Sequence, residues 1–320
     1  MILFVLATDQ VDERGLATLA ESGDLTLEVV DDSSSPEFAQ ALSRAHALIV
    51  RSATKVDAAM IGAAPELKVI GRAGVGVDNI DVEAASQRGI AVFNAPSGNT
   101  VAAAELTMAM ILALVRGVVE ADHSVRQGEW DRSRFQGVEL EGRTLGLIGA
   151  GRVGSEVATR AQSFGMEVIV YDPYLTEARA KEVGFRLTDL EDVLKNADII
   201  SVHVPLTAET EGLVGAEALS TMKGDAYLVN AARGGVIDEG ALAEALAAGS
   251  IAGAALDVYE VEPLPPDSPL RQAPNLVMTP HIGASTSDAQ VRVAVEVAER
   301  IEQALTTGDV SGALNAAELV

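Results

Sequence analysis

The 320-residue sequence predicts an α/β fold of two doubly wound parallel sheets, and three observations support this prediction. Short apolar segments typical of β-strands alternate with helical patterns along almost the whole chain. Some of these segments are continuously apolar, such as Ala47–Val50 and Ala226–Val229, which indicates strands that are buried on both faces. The eleven predicted strands are too many for one small sheet, so the sequence predicts two α/β units.

The first unit contains five predicted strands, at 2–6, 25–30, 46–50, 67–71 and 90–93. A cluster of turn residues at Asn94–Asn99 marks the predicted boundary, and a long helix over 101–127 follows it. This helix is apolar nearly all round from 102 to 115, so it must be buried. We predict that it forms part of a homodimer interface. The alternative is burial within one subunit.

The second unit is predicted to extend from 98 to 285, and its strands lie at 144–148, 167–171, 197–202, 226–230, 252–256 and 275–279. The last predicted helix, about 287–306, has no strand after it. We therefore expect this helix to return to the first unit. The first domain would then be discontinuous, with residues 1–97 completed by 286–320.

The composition excludes several classes of protein. The net charge of −24, from 47 acidic and 23 basic residues, argues against nucleic acid or a membrane surface as a partner. Without cysteine the chain has no disulfide or thiolate chemistry, and no metal site is predicted. No signal peptide or membrane-spanning run is apparent, so a cytoplasmic protein is expected. The excess of acid fits either adaptation to high salt or an ordinary acidic protein.

The segment Thr144–Gly154 predicts a dinucleotide site. A strand is followed by Gly149, Gly151 and Gly154, a spacing that permits a tight turn, close approach of a pyrophosphate and packing of the next helix. That helix directs its positive N-terminus at the phosphates. Asp172, 18 residues after Gly154, can accept hydrogen bonds from both ribose hydroxyls. Because its carboxylate would repel a 2′-phosphate, we predict NAD rather than NADP.

Three polar residues follow the ends of predicted strands in the second unit, namely Arg233, Glu262 and His281. An arginine can hold a substrate carboxylate, a histidine can transfer a proton, and a carboxylate can orient the imidazole. The three residues therefore suit the reduction of a small 2-oxo acid. His203 also follows a strand, but Pro205 makes a rigid turn after it, so we expect it to line the cofactor pocket.

Several longer motifs, in this order along the chain, resemble the D-isomer-specific 2-hydroxyacid dehydrogenase family. They are Ile49–Lys55, Gly71–Asn79, Asn94–Asn99, Gly149–Gly154, Asn230–Gly235, Leu256–Pro263 and Pro280–Thr286. The resemblance covers essentially the whole chain. It implies a Rossmann-type NAD domain, a discontinuous flavodoxin-like substrate domain, a catalytic cleft between the domains and a dimer built on the long helix.

The resemblance also implies roles for individual residues. Arg233, Glu262 and His281 match the catalytic trio of the family. Together with the glycine fingerprint, the resemblance predicts these NAD-binding residues: Gly149, Gly151, Arg152, Val153, Gly154, Asp172, His203, Val204, Pro205, Ala231, Ala232, Asp257 and Gly283.

Within the family, the motifs are most similar to those of members that oxidise 3-phospho-D-glycerate. A phosphorylated substrate requires cationic groups and N–H donors. The predicted substrate-binding residues are Arg51, Arg72, Gly74, Val75, Gly76, Asn99 and Arg132, of which Arg132 resembles a family position that reaches into the neighbouring subunit.

Two other functions remain open at this point. A reductase for hydroxypyruvate, glyoxylate or another 2-oxo acid would differ only in its anion pocket. An NAD-sensing scaffold, like the transcriptional corepressors with this fold, would keep similar catalytic residues. Many members that act on 3-phospho-D-glycerate continue into further domains that bind serine. Since the sequence ends at Val320, we expect either a short form or an isolated catalytic core, and in both cases no inhibition by serine.

Overall fold

The computed structural model describes residues 2–319, which fold into two compact units. The first unit comprises Met1–Thr100 and Ala284–Val320, and the second comprises Val101–Gly283. Each unit is a parallel sheet covered by helices on both faces, so the predicted fold class is confirmed.

The first unit contains a five-stranded sheet. Its strands in chain order are β1 (Leu3–Ala7), β2 (Leu25–Val29), β3 (Ala47–Val50), β4 (Val69–Arg72) and β5 (Ala91–Asn94). Their spatial order is β2-β1-β3-β4-β5, and every pair is parallel. The chain therefore changes its direction across the sheet between β1 and β3, and this order is that of flavodoxin-like folds.

Helices cover both faces of this sheet. They are α1 (Ala17–Glu21), α2 (Pro36–Leu42), α3 (Ala58–Gly62), α4 (Val82–Gln87) and the C-terminal helix (Ser287–Thr307). Residues of α1 and the C-terminal helix, such as Leu19 and Val297, pack with Val5 on one face. Residues of α2 and α3 pack on the other face with Leu6. Alternate residues of β1 thus enter different cores, which explains why the whole strand is apolar.

Strand β5 lies at the edge of the first sheet, and the segment after the C-terminal helix covers it. The N–H of Leu314 donates to the carbonyl of Val92 (2.8 Å), and the N–H of Val92 donates to Oδ1 of Asn315 (3.0 Å). The amide of Asn315 also donates to Oγ of Ser86 and to the carbonyl of Ile90, both at 2.9 Å. One buried side chain thus replaces part of a neighbouring strand.

Asn315→Ala is expected to destabilise the first unit by about 2–3 kcal/mol, because it leaves buried backbone groups without partners. Asn315 is 3 % exposed, so water cannot easily replace the lost bonds. The thermal unfolding midpoint measures the effect. Gln303→Ala, which removes one exposed hydrogen bond from the same unit, is the control and should change stability by less than about 0.5 kcal/mol. Equal midpoints for the two variants would contradict the assigned role.

The second unit contains a seven-stranded parallel sheet. Its strands in chain order are β6 (Thr144–Ile148), β7 (Glu167–Tyr171), β8 (Arg186–Leu187), β9 (Ile199–Val202), β10 (Tyr227–Asn230), β11 (Gly253–Leu256) and β12 (Leu276–Met278). Their spatial order is β12-β11-β10-β9-β6-β7-β8. The chain moves outward from β6 to β8, returns to β9 beside β6, and then proceeds to the opposite edge.

The helices of this unit are α5 (Thr100–Val115), α6 (Val118–Arg126), α7 (Arg152–Ser163), α8 (Glu177–Glu182), α9 (Leu190–Asn196), α10 (Ala216–Thr221) and α11 (Glu239–Ala248). Apolar residues of α5, α7 and α8 share one core, and those of α9, α10 and α11 share the other. The prediction missed β8, because a two-residue strand of Arg186 and Leu187 has no apolar periodicity.

The prediction of one helix over 101–127 is wrong. Helix α5 ends at Val115, α6 begins at Val118, and the two are bent by 62°. Gly117 lies between them with φ of 56°, in the left-handed region that glycine adopts without steric cost. The apolar pattern continues through Val118 and Val119, so hydrophobic periodicity alone does not reveal this break.

Much of the apolar surface of α5 is buried within the chain itself. Nine of its 16 residues are buried, including Met108 and Ile111 in the core beneath α7. In the part of the chain that the structure describes, no single helix is long and apolar enough to cross a membrane. Helices α5 and α6 taken together reach the necessary length and apolar composition, but only as a bent pair.

Candidate active site

The predicted cofactor and catalytic residues lie along one edge of the sheet of the second unit. A group of them follows the carboxyl end of almost every strand: Gly149–Gly154 after β6, Asp172 after β7, His203–Pro205 after β9, Ala231–Arg233 after β10, Asp257 after β11 and His281–Gly283 after β12. The chain changes direction between β6 and β9, and open α/β sheets bind ligands at such a switch point.

The glycine loop after β6 forms an open cradle. Gly149 has φ of 92°, and a Cβ at this position would lie only 2.8 Å from the carbonyl oxygen of His203. A Cβ at Gly154 would overlap the carbonyl oxygen of Gly149, so α7 lies directly against the loop. In contrast, a Cβ at Gly151 would meet no atom within 4 Å. Helix α7 begins at Arg152 without a side-chain cap, which leaves its first N–H groups for an anion.

Asp172 connects the end of β7 to this loop. Its Oδ2 accepts from the N–H of Ala150 and its Oδ1 accepts from the N–H of Tyr174, both at 2.8 Å. Each carboxylate oxygen has a further lone pair, so the side chain can also accept from ribose hydroxyls. The open glycine cradle, the uncapped helix and this held carboxylate together fit a dinucleotide.

His203 packs behind the glycine loop. A Cβ at Gly154 would lie 3.4 Å from its Cβ, and its Nε2 lies 2.8 Å from Oγ of Ser201. Burial lowers the pKa of His203 to about 4, so the ring is neutral near pH 7. The side chain of Val204 also approaches Gly149. The structure therefore places His203 and Val204 against the predicted phosphate loop.

Glu262 and His281 form a hydrogen-bonded pair. Nδ1 of His281 lies 2.6 Å from Oε2 of Glu262, and the N–H of Tyr259 donates to the other carboxylate oxygen at 3.0 Å. The side chain of His281 is 49 % exposed, so its other ring nitrogen can be reached by a substrate. The carboxylate is itself oriented by the backbone, and it in turn orients the imidazole.

The pair also changes the ionisation of both groups. The hydrogen bond with Glu262 raises the pKa of His281, although burial and the charge of Arg233 oppose this change. Burial would raise the pKa of Glu262, but hydrogen bonds from His281 and from the N–H of Tyr259 outweigh burial and lower it. Both groups are therefore charged together over a wider pH range than they would be apart.

Arg233 lies on a loop that neighbouring residues hold in place. Asn230, which is 1 % exposed, accepts from the N–H of Ala232 (2.9 Å) and donates to the carbonyl of Arg233 (2.8 Å). A Cβ at Gly234 would overlap the carbonyl oxygen of Tyr259, so the loop lies directly on the chain that leads to Glu262. The charge of Arg233 acts on both Glu262 and His281, which brings the predicted trio together.

Asp257 holds the turn that carries His281. Its Oδ1 accepts from Oγ1 of Thr279 (2.6 Å) and from the N–H of Ile282 (2.8 Å), and its Oδ2 accepts from the N–H of Gly283 (2.8 Å). His281 lies within this turn with φ of 52°, a left-handed conformation that costs a histidine free energy. Asp257 is fully buried, and its contact with NAD stays a prediction.

Sequence reasoning did not single out three residues that support the trio: Asn230, Tyr259 and Thr279. The Tyr259 hydroxyl donates to the carbonyls of Leu256 (3.2 Å) and Thr279 (2.9 Å), and burial raises its pKa to about 12. The only signal in the sequence was their position next to the predicted residues. Their roles depend on contacts between loops that are distant in the chain.

The first unit places five of the predicted substrate residues at the carboxyl edge of its own sheet: Arg51, Arg72, Gly74, Val75 and Gly76. Arg51 follows β3, and Arg72 ends the neighbouring strand β4. The guanidinium of Arg72 lies across Gly74, where a Cβ would overlap it. The N–H of Gly74 already donates to the carbonyl of Arg72 (2.8 Å). Of the three predicted residues Gly74–Gly76, Val75 and Gly76 are therefore the ones whose N–H groups are left for an anion.

Two further predicted substrate residues differ in their surroundings. Oδ1 of Asn99 is buried and has no hydrogen-bond partner among residues 2–319. Arg132, which belongs to the second unit, is exposed just before a short 3-10 helix at Ser133–Phe135. A contribution of Arg132 to the site of another subunit stays a prediction.

Comparison with known proteins defines the class of this protein. The model for "D-isomer specific 2-hydroxyacid dehydrogenase, NAD binding domain" matches residues 108–283, which are more than half of the chain. The chain belongs to this family, and its second unit is the NAD-binding domain.

Individual relatives and a solved structure show which members of this family the chain is similar to. The chain is 50 % identical over 297 residues to D-3-phosphoglycerate dehydrogenase of Archaeoglobus fulgidus, a match that covers 93 % of this chain and 56 % of that protein. It is 49 % identical over 314 residues to the enzyme of Bacillus subtilis, with 97 % and 58 % covered. The chain thus spans a little more than half the length of these relatives. D-lactate dehydrogenase of Aquifex aeolicus, solved with NAD and lactic acid, is 33 % identical with a TM-score of 0.83, covering 96 % of this chain and 97 % of that one.

Proposed function

We propose that the chain is an NAD-dependent dehydrogenase that oxidises 3-phospho-D-glycerate to 3-phosphohydroxypyruvate, a step towards L-serine. The observation that carries this proposal is the hydrogen-bonded pair of His281 and Glu262 beside Arg233, on the same sheet edge as the glycine cradle. The identity of about 50 % with D-3-phosphoglycerate dehydrogenases supports the choice of substrate.

The second unit would bind NAD through the glycine cradle and the neighbouring strand ends. The backbone around Gly151–Val153 would hold the pyrophosphate, and Asp172 would accept from the adenosine ribose. The loops at His203–Pro205, Ala231–Ala232 and Gly283 would line the remainder of the site. When bound, NAD supplies a hydride acceptor at its nicotinamide ring.

The trio would perform the acid–base part of the reaction. His281 removes the proton of the substrate hydroxyl in oxidation and returns it in reduction. Glu262 stabilises the imidazolium that forms, because its carboxylate is 2.6 Å from Nδ1. Arg233 binds the carboxylate of the substrate and stabilises negative charge that develops on the carbonyl oxygen during reduction.

The first unit would bind the phosphate of the substrate, with Arg51 and Arg72 as its cationic groups. These residues follow adjacent strands, and Val75 and Gly76 offer backbone N–H groups on the loop after β4. Asn99 would contribute from the segment before α5. We also propose a homodimer through α5 and α6, because Val118, Val119 and Val125 leave about half of each side chain exposed.

Arg51→Ala and Arg72→Ala test this choice of substrate. Each should raise KM for 3-phosphohydroxypyruvate by about 10-fold or more, since a charged hydrogen-bond donor is lost. The KM for hydroxypyruvate, which lacks the phosphate, should change little. Steady-state reduction with NADH measures both, and Arg14→Ala, at an exposed arginine of the same unit, is the control.

Other outcomes favour the alternative functions. Equal losses on both substrates, or wild-type activity that prefers glyoxylate or hydroxypyruvate, would indicate a general 2-oxo acid reductase. Negligible turnover with a stable NAD-dependent dimer would indicate a sensing scaffold.

Glu262→Gln is expected to shift the pH profile rather than to abolish binding. The hydrogen bond with Glu262 raises the pKa of His281, so its loss lowers that pKa. The oxidation, which needs the neutral imidazole, should then reach its plateau at lower pH, and the reduction should fall off at lower pH. Profiles of kcat/KM in both directions measure the shift. Glu260→Gln, at an exposed carboxylate nearby, is the control and should leave the profiles unchanged. Unchanged profiles in Glu262→Gln would contradict the role of Glu262 in raising the pKa of His281.

A further inference from the structure

We propose that Asp9 is a positioning residue that holds Arg51 for substrate binding, and that it therefore influences selectivity for a phosphorylated substrate. This inference rests on the proposed function, in which Arg51 binds the phosphate. Asp9 itself would not touch the substrate. It would act on the backbone of the segment Arg51–Thr54, which is called the arginine loop below.

The arginine loop is bound by a single carboxylate. Oδ2 of Asp9 accepts from the N–H of Arg51 (2.9 Å) and from the N–H of Thr54 (3.0 Å), and Oδ1 accepts from the Thr54 hydroxyl (2.6 Å). Thr54 is 2 % exposed, so these bonds are protected from water. Bonds to an ionised acceptor are stronger than those between neutral groups. Both ends of the arginine loop are thus held at one point.

Asn79 binds the arginine loop from its other side. Its amide group donates to the carbonyls of Arg51 and Thr54, both at 2.7 Å. Asn79 lies three residues after Gly76, on the segment that follows β4. The N–H groups of Arg51 and Thr54 are therefore bound to Asp9 and their carbonyls to Asn79. The Arg51 guanidinium also donates to the main-chain carbonyl of Asp9 (3.5 Å), so Asp9 contacts both the backbone and the side chain of Arg51.

The backbone at Asp9 is strained. Asp9 and Gln10 have φ values of 63° and 53°, so two successive non-glycine residues are left-handed. Each such residue costs about 1 kcal/mol or more, and it persists only where the surroundings enforce it. Here the carboxylate of Asp31 accepts from the N–H of Gln10 at 3.0 Å. Strain of this kind concentrates at functional sites.

The location of Asp9 also indicates a ligand site rather than a purely structural role. Strands β1 and β3 pair with Ala7 opposite Ile49, so Asp9 and Arg51 each lie two residues beyond this pair. The chain changes direction across the sheet between these two strands. This is the switch point of the first sheet, where open α/β sheets bind ligands outside the carboxyl ends of their strands.

Asp9→Gly tests the proposal, because glycine keeps the left-handed backbone and removes the carboxylate. We expect KM for 3-phosphohydroxypyruvate to rise by about 10-fold or more, with kcat within about 3-fold of wild type. The KM for hydroxypyruvate should change by less than about 3-fold, since that substrate has no phosphate. Loss of a merely structural residue would affect both substrates alike.

Two further variants sharpen the test. Gln10→Gly relieves the neighbouring strained position without touching the carboxylate, and it should leave both KM values unchanged. Asp9→Asn keeps the left-handed preference and one carbonyl acceptor, so it should give an intermediate KM for the phosphorylated substrate. Because Asp9→Asn changes few atoms, it keeps the test decisive if Asp9→Gly fails to fold.

Arg51→Ala separates failure of this inference from failure of the proposed substrate. If Arg51→Ala selectively weakens the phosphorylated substrate and the Asp9 variants do not, the inference about Asp9 is overturned and the substrate stands. If Arg51→Ala shows no selectivity, both are overturned. The inference would be supported if Asp9→Gly and Arg51→Ala each raise KM selectively for the phosphorylated substrate. In addition, the double variant should raise that KM by less than the two single changes combined.

Discussion

Replacing His281 by asparagine should lower kcat by roughly 10²–10⁴ in both directions, the usual contribution of a general acid–base. Asparagine is polar and of similar length, but it cannot accept and release a proton near neutral pH. The hydrogen bond from Nδ1 to Glu262 fixes the ring so that its other nitrogen is exposed to substrate. Steady-state rates of oxidation and reduction, compared at several pH values, measure the loss.

The binding of NADH by the His281→Asn variant separates catalysis from folding. Titration of the variant with NADH should give a Kd within about 3-fold of wild type, since the substitution leaves the glycine cradle and Asp172 unchanged. Gln303→Asn, at an exposed position of the C-terminal helix, is a control that should keep full activity. A loss of kcat below about 10-fold would mean that another group transfers the proton.

Gly234→Ala should lower kcat/KM by about 100-fold, an effect expected when catalytic groups move by about 1 Å. A Cβ at this position would overlap the carbonyl oxygen of Tyr259. That carbonyl cannot easily move, because the N–H of Tyr259 donates to Glu262 and its hydroxyl donates to Leu256 and Thr279. The Arg233 loop must therefore move away from the pair of Glu262 and His281.

Gly224→Ala is the control for this variant, because a Cβ at Gly224 would meet no atom within 4 Å. It should leave kcat/KM unchanged. Steady-state kinetics and the thermal midpoint of each variant distinguish a displaced loop from a general loss of folding. Wild-type kcat/KM in Gly234→Ala would show that the Arg233 loop can shift without affecting catalysis.

Most of the fold could be predicted because the sheets are parallel and buried. All eleven predicted strands are present, since continuous apolar segments bounded by turn residues are a strong local signal. The errors occurred where that signal is weak. Strand β8 has two residues, and the break at Gly117 lies inside a continuous apolar pattern. At that position the left-handed backbone of one glycine ends the helix, although the apolar pattern continues.

The part of the site that could be predicted is the part that depends on the chemical type of the side chain. Arg233, Glu262 and His281 were identified because guanidinium, carboxylate and imidazole groups followed predicted strands. Their supporting residues were not, because Asn230 and Tyr259 act through hydrogen bonds to backbone groups that any sequence possesses. Likewise, nothing in the local sequence around Asp9 indicates that its partners lie 42 and 45 residues away.

The sequence by itself determined the two parallel sheets, the glycine cradle and the choice of candidate catalytic groups, since these depend on local patterns and on side-chain chemistry. Only the tertiary structure decided how those groups are held. The left-handed turn at His281 depends on hydrogen bonds to the buried carboxylate of Asp257. The strained turn at Asp9 depends on hydrogen bonds from the N–H groups of Arg51 and Thr54 to its carboxylate. Such conformations are costly for an isolated segment, and contacts between distant loops provide the free energy that maintains them.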